Sequence, residues 1–343
     1  MATLEKEYRF WINSRTDTIE KDGKKYQLSR YNTFGNEPRP ESYREDMETV
    51  EGLSPKAQAN LHSQIQAACE SGWDFSSRWF KEAGDIHGSL KDLHTRNIYP
   101  VDLNSLMVMN ARILSDFYEL LGDEQRQIQY QVIADQRNES LQELLYDSDQ
   151  GMWFDYDRTE KRRRDVFYAS NLFPLWTEAF PQGLHKYEIV QKALKYLRRQ
   201  GVLSFPGGFP TSLSESDEQW DFPNGWAPLQ HVVIEGLEKT GNPLALATAA
   251  DLARKWMRNN YLTWKKHDAM YEKYNTNNIG YPGHGGEYRV VDGFGWTNGV
   301  ALDLLMKYSD FDTTEDHGEA LGTTAAPTST ASEVTSTSLV MGA

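Results

Sequence analysis

From Ser54 onward the apolar residues recur every three or four positions, the period of a helix with one buried face. Ser54-Pro55 starts the first such helix as an N-cap followed by proline, and LHSQIQAACE carries it to a stop at Gly72. Residues 102–121 predict a second, with Leu103, Leu106, Met107, Ile113, Leu114, Phe117 and Leu121 in register and Gly122 as its end. Asp123 opens a third that runs to about Asp147. Residues 171–200 predict a short and then a longer helix, closed by Arg198-Arg199 and Gly201, and residues 228–240, 243–266 and 296–308 complete the series. Ahead of Ser54 the pattern is different. Leu4 to Trp11 is helical, and residues 15–32 alternate around Asp22-Gly23 as a hairpin does. In NEPRPESYREDMETV, Pro38 and Pro40 hold Arg39 extended with Glu41 directly behind, a constraint that favours a ligand contact over a plain surface charge.

Loops rich in Trp, Asp and Gly interrupt the helices near residues 73, 154, 220 and 296, roughly 65 to 80 residues apart with about two helices in each interval. Stacked αα-hairpins have this layout, and they place such loops at one mouth where a ligand site is expected. The densest is QWDFPNGWAP, residues 219–228, with Trp220, Asp221 and Trp226 between turn-forming Pro and Asn-Gly. It reads either as a buried structural turn or as an aromatic and acidic wall that grips a polar ring. Composition narrows the partners. With 36 basic and 50 acidic residues the net charge is −14, which argues against nucleic acid or an anionic membrane as partner. The single cysteine, Cys69, allows no internal disulfide and suggests no cysteine-based metal site. No secretory signal follows Met1, and no apolar run approaches membrane-spanning length, so any membrane association would need a segment not in this chain. The Asn138-Glu139-Ser140 sequon is weak support for export. Residues 313–343, rich in Ser and Thr, are expected to form a disordered tail beyond a folded region of 1–312.

Phosphate loops, nucleotide fingerprints, HExxH helices and Ser-His-Asp elbows are absent, and the histidines show no metal-ligand spacing. Carboxylates in Gly- and Trp-rich loops remain, the tools of glycoside hydrolysis. Asp74 lies between Trp73 and Phe75, and an apolar surround keeps a carboxyl protonated as a general acid requires; the alternative is a cap for a helix starting at Ser76. Glu287 lies among glycines in GHGGEYRVVDGFGW, open to water as a base should be, or on an ordinary glycine hinge. Asp221 is a third candidate, and spacing does not rank the three.

QWDFPNGWAPLQ closely resembles a signature of α,α-trehalases, and SGWDFSSRW, RPESYRED and GGEYRVVDGFGWTNGV resemble three further segments of that family in the same order. The resemblance implies an all-α (α/α)6 toroid that hydrolyses trehalose to two glucoses with inversion, without metal or organic cofactor. It assigns the general acid to Asp74 and the general base to Glu287, with Arg39, Glu41 and Gly72 at the sugar and Trp220, Asp221 and Trp226 positioning it. The PGGRF-type signature of the family and its later sugar-binding RSQ segment have no counterpart. The chain is therefore expected to be the C-terminal portion of a trehalase, with about four of six hairpins. Its sugar pocket would be incomplete, its activity weak, and its apolar helix faces exposed. Full-length members are secreted or membrane-associated. A sugar-binding or regulatory fragment without hydrolysis is the alternative, and another inverting glycosidase on the same toroid is a third.

Overall fold

The structure is a computed structural model that describes residues 1–181 and 183–308; the expected Ser/Thr-rich tail lies outside the described residues. In chain order the elements are α1 (Ala2–Arg15), β1 (Thr16–Lys21), β2 (Lys24–Ser29), α2 (Tyr43–Thr49), α3 (Pro55–Glu70), β3 (Ile98–Tyr99), α4 (Val101–Leu120), α5 (Glu124–Leu145), β4 (Tyr146–Asp147), β5 (Met152–Trp153), β6 (Tyr156–Asp157), β7 (Arg162–Arg163), α6 (Phe173–Trp176), α7 (Lys186–Gln200), β8 (Asn224–Trp226), α8 (Ala227–Lys239), α9 (Pro243–His267), β9 (Lys273–Asn275) and α10 (Gly295–Lys307).

Local chemistry sets most of these boundaries. Asn242 Oδ1 accepts from the backbone amides of Leu244 (2.9 Å) and Ala245 (3.3 Å), satisfying two orphan donors at the start of α9. Ser54 precedes Pro55 in extended backbone, but its side chain makes no capping bond. Gly201 closes α7 with φ of 74°, a conformation that favours glycine. Asp22 and Gly23, at φ of 53° and 76°, join β1 to β2 as the antiparallel hairpin expected from the Asp-Gly pair. The helix α2 was not legible in the pattern. Its apolar residues Tyr43 and Met47 are exposed, and its buried residue is Asp46, held by Arg39.

α4 and α5 form one αα-hairpin, and α8 and α9 another. The helices α1, α4, α6, α8 and α10 contact one another in that sequence, with α5 laid on α4 and α9 on α8. Alternation of neighbouring inner helices with outer partners is the pattern of a helical toroid. Short strand pairs tie the loops together: β3, β6 and β7 form one three-stranded sheet, and β8 pairs antiparallel with β9, joining Trp226 to Lys273. Asn138 lies on α5, is 4% exposed and donates to the Phe180 carbonyl, so the fold closes that sequon to a glycan. Among the described residues no helix is long and apolar enough to cross a membrane.

Candidate active site

The site begins where α3 ends. Gly72, at φ of 76°, reverses the chain, and the Ser71 hydroxyl accepts from the Trp73 amide at 3.0 Å. Asp74 does not cap the turn that follows. Ser76 does, its Oγ accepting from the Arg78 amide at 3.0 Å, which leaves the Asp74 carboxyl free for other work. Burial raises the Asp74 pKa; its own backbone and Arg39 oppose the shift, while the charges of Glu287 and Glu272 add to it. Three carboxylates thus share one neighbourhood.

Asp221 is a correction to the expected sugar contacts. It is fully buried, and its oxygens accept from Ser76 Oγ (2.9 Å), the Ser77 amide (2.6 Å) and Ser216 Oγ. With its lone pairs taken inside the protein, Asp221 anchors the loop that carries Asp74. The two tryptophans of the same motif are also mostly interior. Trp220 stacks on Trp226 at 3.8 Å and 2°, and on Trp73 at 5.2 Å and 16°, while Trp296 meets the pair edge-on. Trp226 is 1% exposed, so it backs Trp220 and is not itself a sugar platform. Three of the four tryptophan loops therefore converge. The fourth supplies Asp155, which binds Arg78 within the acid-bearing loop.

Arg39 and Glu287 meet directly. The Arg39 guanidinium donates to both Glu287 oxygens (3.0 and 3.2 Å) and, from its other edge, to Asp46 (Nη2 to Oδ1, 2.6 Å), with Phe75 beneath it at 5.0 Å. Glu287 reaches this position because Gly285 and Gly286 pass tightly over the neighbouring loop. A Cβ on Gly285 would strike the Asp217 carbonyl oxygen, and one on Gly286 would lie 2.9 Å from Gln219 Cβ. Glu287 is thus bound by Arg39 on one side while the residue remains exposed to solvent. Glu41 is exposed and has no hydrogen bond or ion pair among the described residues, and Gly72 faces open space. Neither is brought against the carboxylates.

Glu272 lies beside β9. It is 4% exposed, its Oε1 accepts from the Tyr288 hydroxyl at 2.9 Å, and its buried Oε2 has no hydrogen-bond partner. The Lys273 ammonium stands 3.9 Å from that oxygen. Sequence reasoning missed Glu272 because AMYEKYN carries none of the glycine or tryptophan that marked the other loops; only the adjacent Lys273 in an otherwise β-prone run hinted at a buried charge pair. It also missed Glu218, whose pKa is pushed up to about 7 by burial, then by the charges of Asp221, Glu287 and Asp217. Elsewhere, His231 lies 2.9 Å from Asp303 and 3.5 Å from Glu235, a grouping its sequence spacing did not suggest, and the Lys307 ammonium already bonds both acids. Cys69 is half-buried beside Arg39, and burial raises its thiol to about 12.

Comparison with known proteins places the chain in a family. The family model described as Trehalase matches residues 1–309. The trehalase of Apis mellifera is 44% identical over 91% of this chain and 50% of its own length, and that of Homo sapiens 43% identical over 90% and 52%. The chain thus spans about half the length of the curated relatives it matches. Neutral trehalase Nth1 from Saccharomyces cerevisiae superposes with a TM-score of 0.63 at 23% identity, over 82% of this chain and 52% of that one, which shows the same (α/α)6 toroid fold. The chain belongs to the trehalase family.

Proposed function

We propose that this chain hydrolyses the α,α-1,1 bond of trehalose by an inverting mechanism, with Asp74 as general acid and Glu287 as general base. The observation that carries the reading is that Arg39, held by Asp46, binds Glu287, and that the Glu287 charge acts on Asp74, whose pKa burial raises. Asp74 protonates the bridging oxygen as the bond breaks. Glu287 takes a proton from the water that attacks the anomeric carbon from the opposite face. Inversion needs the two carboxyls about 6.5–9.5 Å apart so that this water fits. Arg39 orients the Glu287 carboxylate by one bond to each of its oxygens. The Arg39–Glu287 pair, fixed from behind by Asp46, presents charged donors and acceptors suited to sugar hydroxyls. Trp220 supplies the adjoining aromatic edge.

Trehalose hydrolysis by the wild type and by Asp74, Glu287 and Glu272 variants tests the assignment. Asp74→Asn and Glu287→Gln each lower kcat by on the order of 10²–10⁴-fold, the usual worth of a positioned acid or base. Glu272→Gln lowers it far less, and loss of kcat in Glu272→Gln with activity retained in Glu287→Gln moves the base to Glu272. Calorimetric trehalose binding without glucose release identifies a sugar-binding fragment instead.

A further inference from the structure

The stretch around Glu287 forms neither helix nor strand, yet the short segment 270–275 binds it on both sides of that carboxylate. Ahead of Glu287, the Gly283 amide donates to the Lys273 carbonyl at 2.9 Å, and Lys273 Nζ donates to the Gly285 carbonyl at 3.4 Å. Behind it, the Glu272 amide donates to the Val291 carbonyl (2.9 Å), the Gly293 amide to the Met270 carbonyl (2.7 Å) and Trp296 Nε1 to the Glu272 carbonyl (3.2 Å). None of these bonds falls on Glu287 or on a residue next to it. The contact that does is made by a side chain. Tyr288, the following residue, donates its hydroxyl to Glu272 Oε1 at 2.9 Å. Burial, then the charge of Glu272, raises the Tyr288 pKa, so the hydroxyl keeps the proton it donates. Glu272 is a fixed acceptor: it is 4% exposed, and Lys273 beside it is buried and bonded to Gln219 Oε1 at 2.7 Å. Two successive residues are thus tied to different parts of the protein, Glu287 to Arg39 and Tyr288 to Glu272.

We propose that Glu272 and Tyr288 are positioning residues for Glu287: the buried Glu272 carboxylate holds the Tyr288 ring, and the ring fixes the backbone from which Glu287 reaches the attacking water. The proposal rests on the trehalase reading above, with Glu287 as base. Accepting a hydrogen bond, rather than carrying charge, is the task of Glu272, so glutamine at that position serves nearly as well.

Tyr288→Phe removes the bond and keeps the ring. It is expected to lower kcat for trehalose by about 10-fold with little change in KM, as loss of one bond to a charged group does when it displaces a reacting group. The same loss is expected with α-glucosyl fluoride, which needs the base but little help from an acid, whereas Asp74→Asn spares the fluoride. Glu272→Leu strands the buried Lys273 ammonium, so Tyr288→Phe carries the test and Glu272→Gln is the conservative control that keeps most of the rate. Hydrogen exchange read by mass spectrometry follows the loop without turnover: amides of residues 283–293 exchange about 10-fold faster in Tyr288→Phe, and those of residues 71–80 do not change. Unchanged exchange across 283–293, full kcat in Tyr288→Phe, a loss confined to trehalose, or an equal loss in Glu272→Gln overturns the proposal. Absence of glucose release from the wild type counts against the trehalase reading alone, because the exchange rates judge the clamp without turnover.

Discussion

Glu218 shows how much the charge of this site depends on burial. Its folded pKa of about 7 lies above the ordinary 4.5, so between those values the folded chain holds a proton that the unfolded chain has released. Stability conferred by the neutral carboxyl is full below pH 4.5 and is lost as pH rises through about 7. Glu218→Gln should therefore flatten the pH dependence of unfolding across that window and stabilise the protein by about 1–3 kcal/mol at pH 8, after discounting for partial exposure. Urea titrations at pH 5 and pH 8 check this, and an unchanged difference between them contradicts it. At this scale the sequence singled out Asp74 and Glu287 and not their neighbour Glu272. Asp74 announces itself by flanking aromatics, and Glu287 by flanking glycines. Glu272 is buried by Tyr288, Lys273 and Trp296, whose contacts depend on how distant loops meet. Asp221 and Trp226 were found but misjudged, because a motif of indoles and a carboxylate looks the same whether it faces a ligand or supports the residues that do.

The loop Ser71–Phe80 is the element on which the chemistry depends, and it is clamped from several directions. Asp221 holds Ser76 and Ser77, and Arg164 donates to the carbonyls of Arg78 and Phe80. Arg78, fully buried, donates in pairs to Asp102 at the start of α4 (both 2.8 Å) and to Asp155 (2.7 and 2.9 Å). Trp73 and Trp79 lie within 4.6 Å of its guanidinium carbon. Removing one partner of such a network leaves buried charge behind. Arg78→Met should destabilise the protein by about 3–5 kcal/mol, whereas surface Arg44→Met should change stability by less than about 0.5 kcal/mol. Equal denaturation midpoints for the two variants would remove Arg78 from this role. The helices themselves were legible, since a period near four with Pro, Asn and Gly at the ends specifies them locally. The clamps were not, since Arg78 pairs with residues 24 and 77 positions away.

Across the whole molecule, the inner helices run from α1 to α10, and both terminal helices leave apolar side chains in solvent. Leu4 and Phe10 are 48% and 45% exposed on α1, and Leu302 and Met306 are 66% and 85% exposed on α10. The chain spans about half the length of the curated relatives it matches. The acid, the proposed base and Arg39 all lie within it. The most direct test is 1H NMR of trehalose mixed with this protein, read before the released sugar mutarotates. Inversion at the attacked carbon yields one β-glucose, while the departing sugar leaves as α-glucose. The account predicts equal amounts of the two anomers at early times, and their loss in Glu287→Gln. Release of α-glucose alone, or no glucose at all, would contradict it.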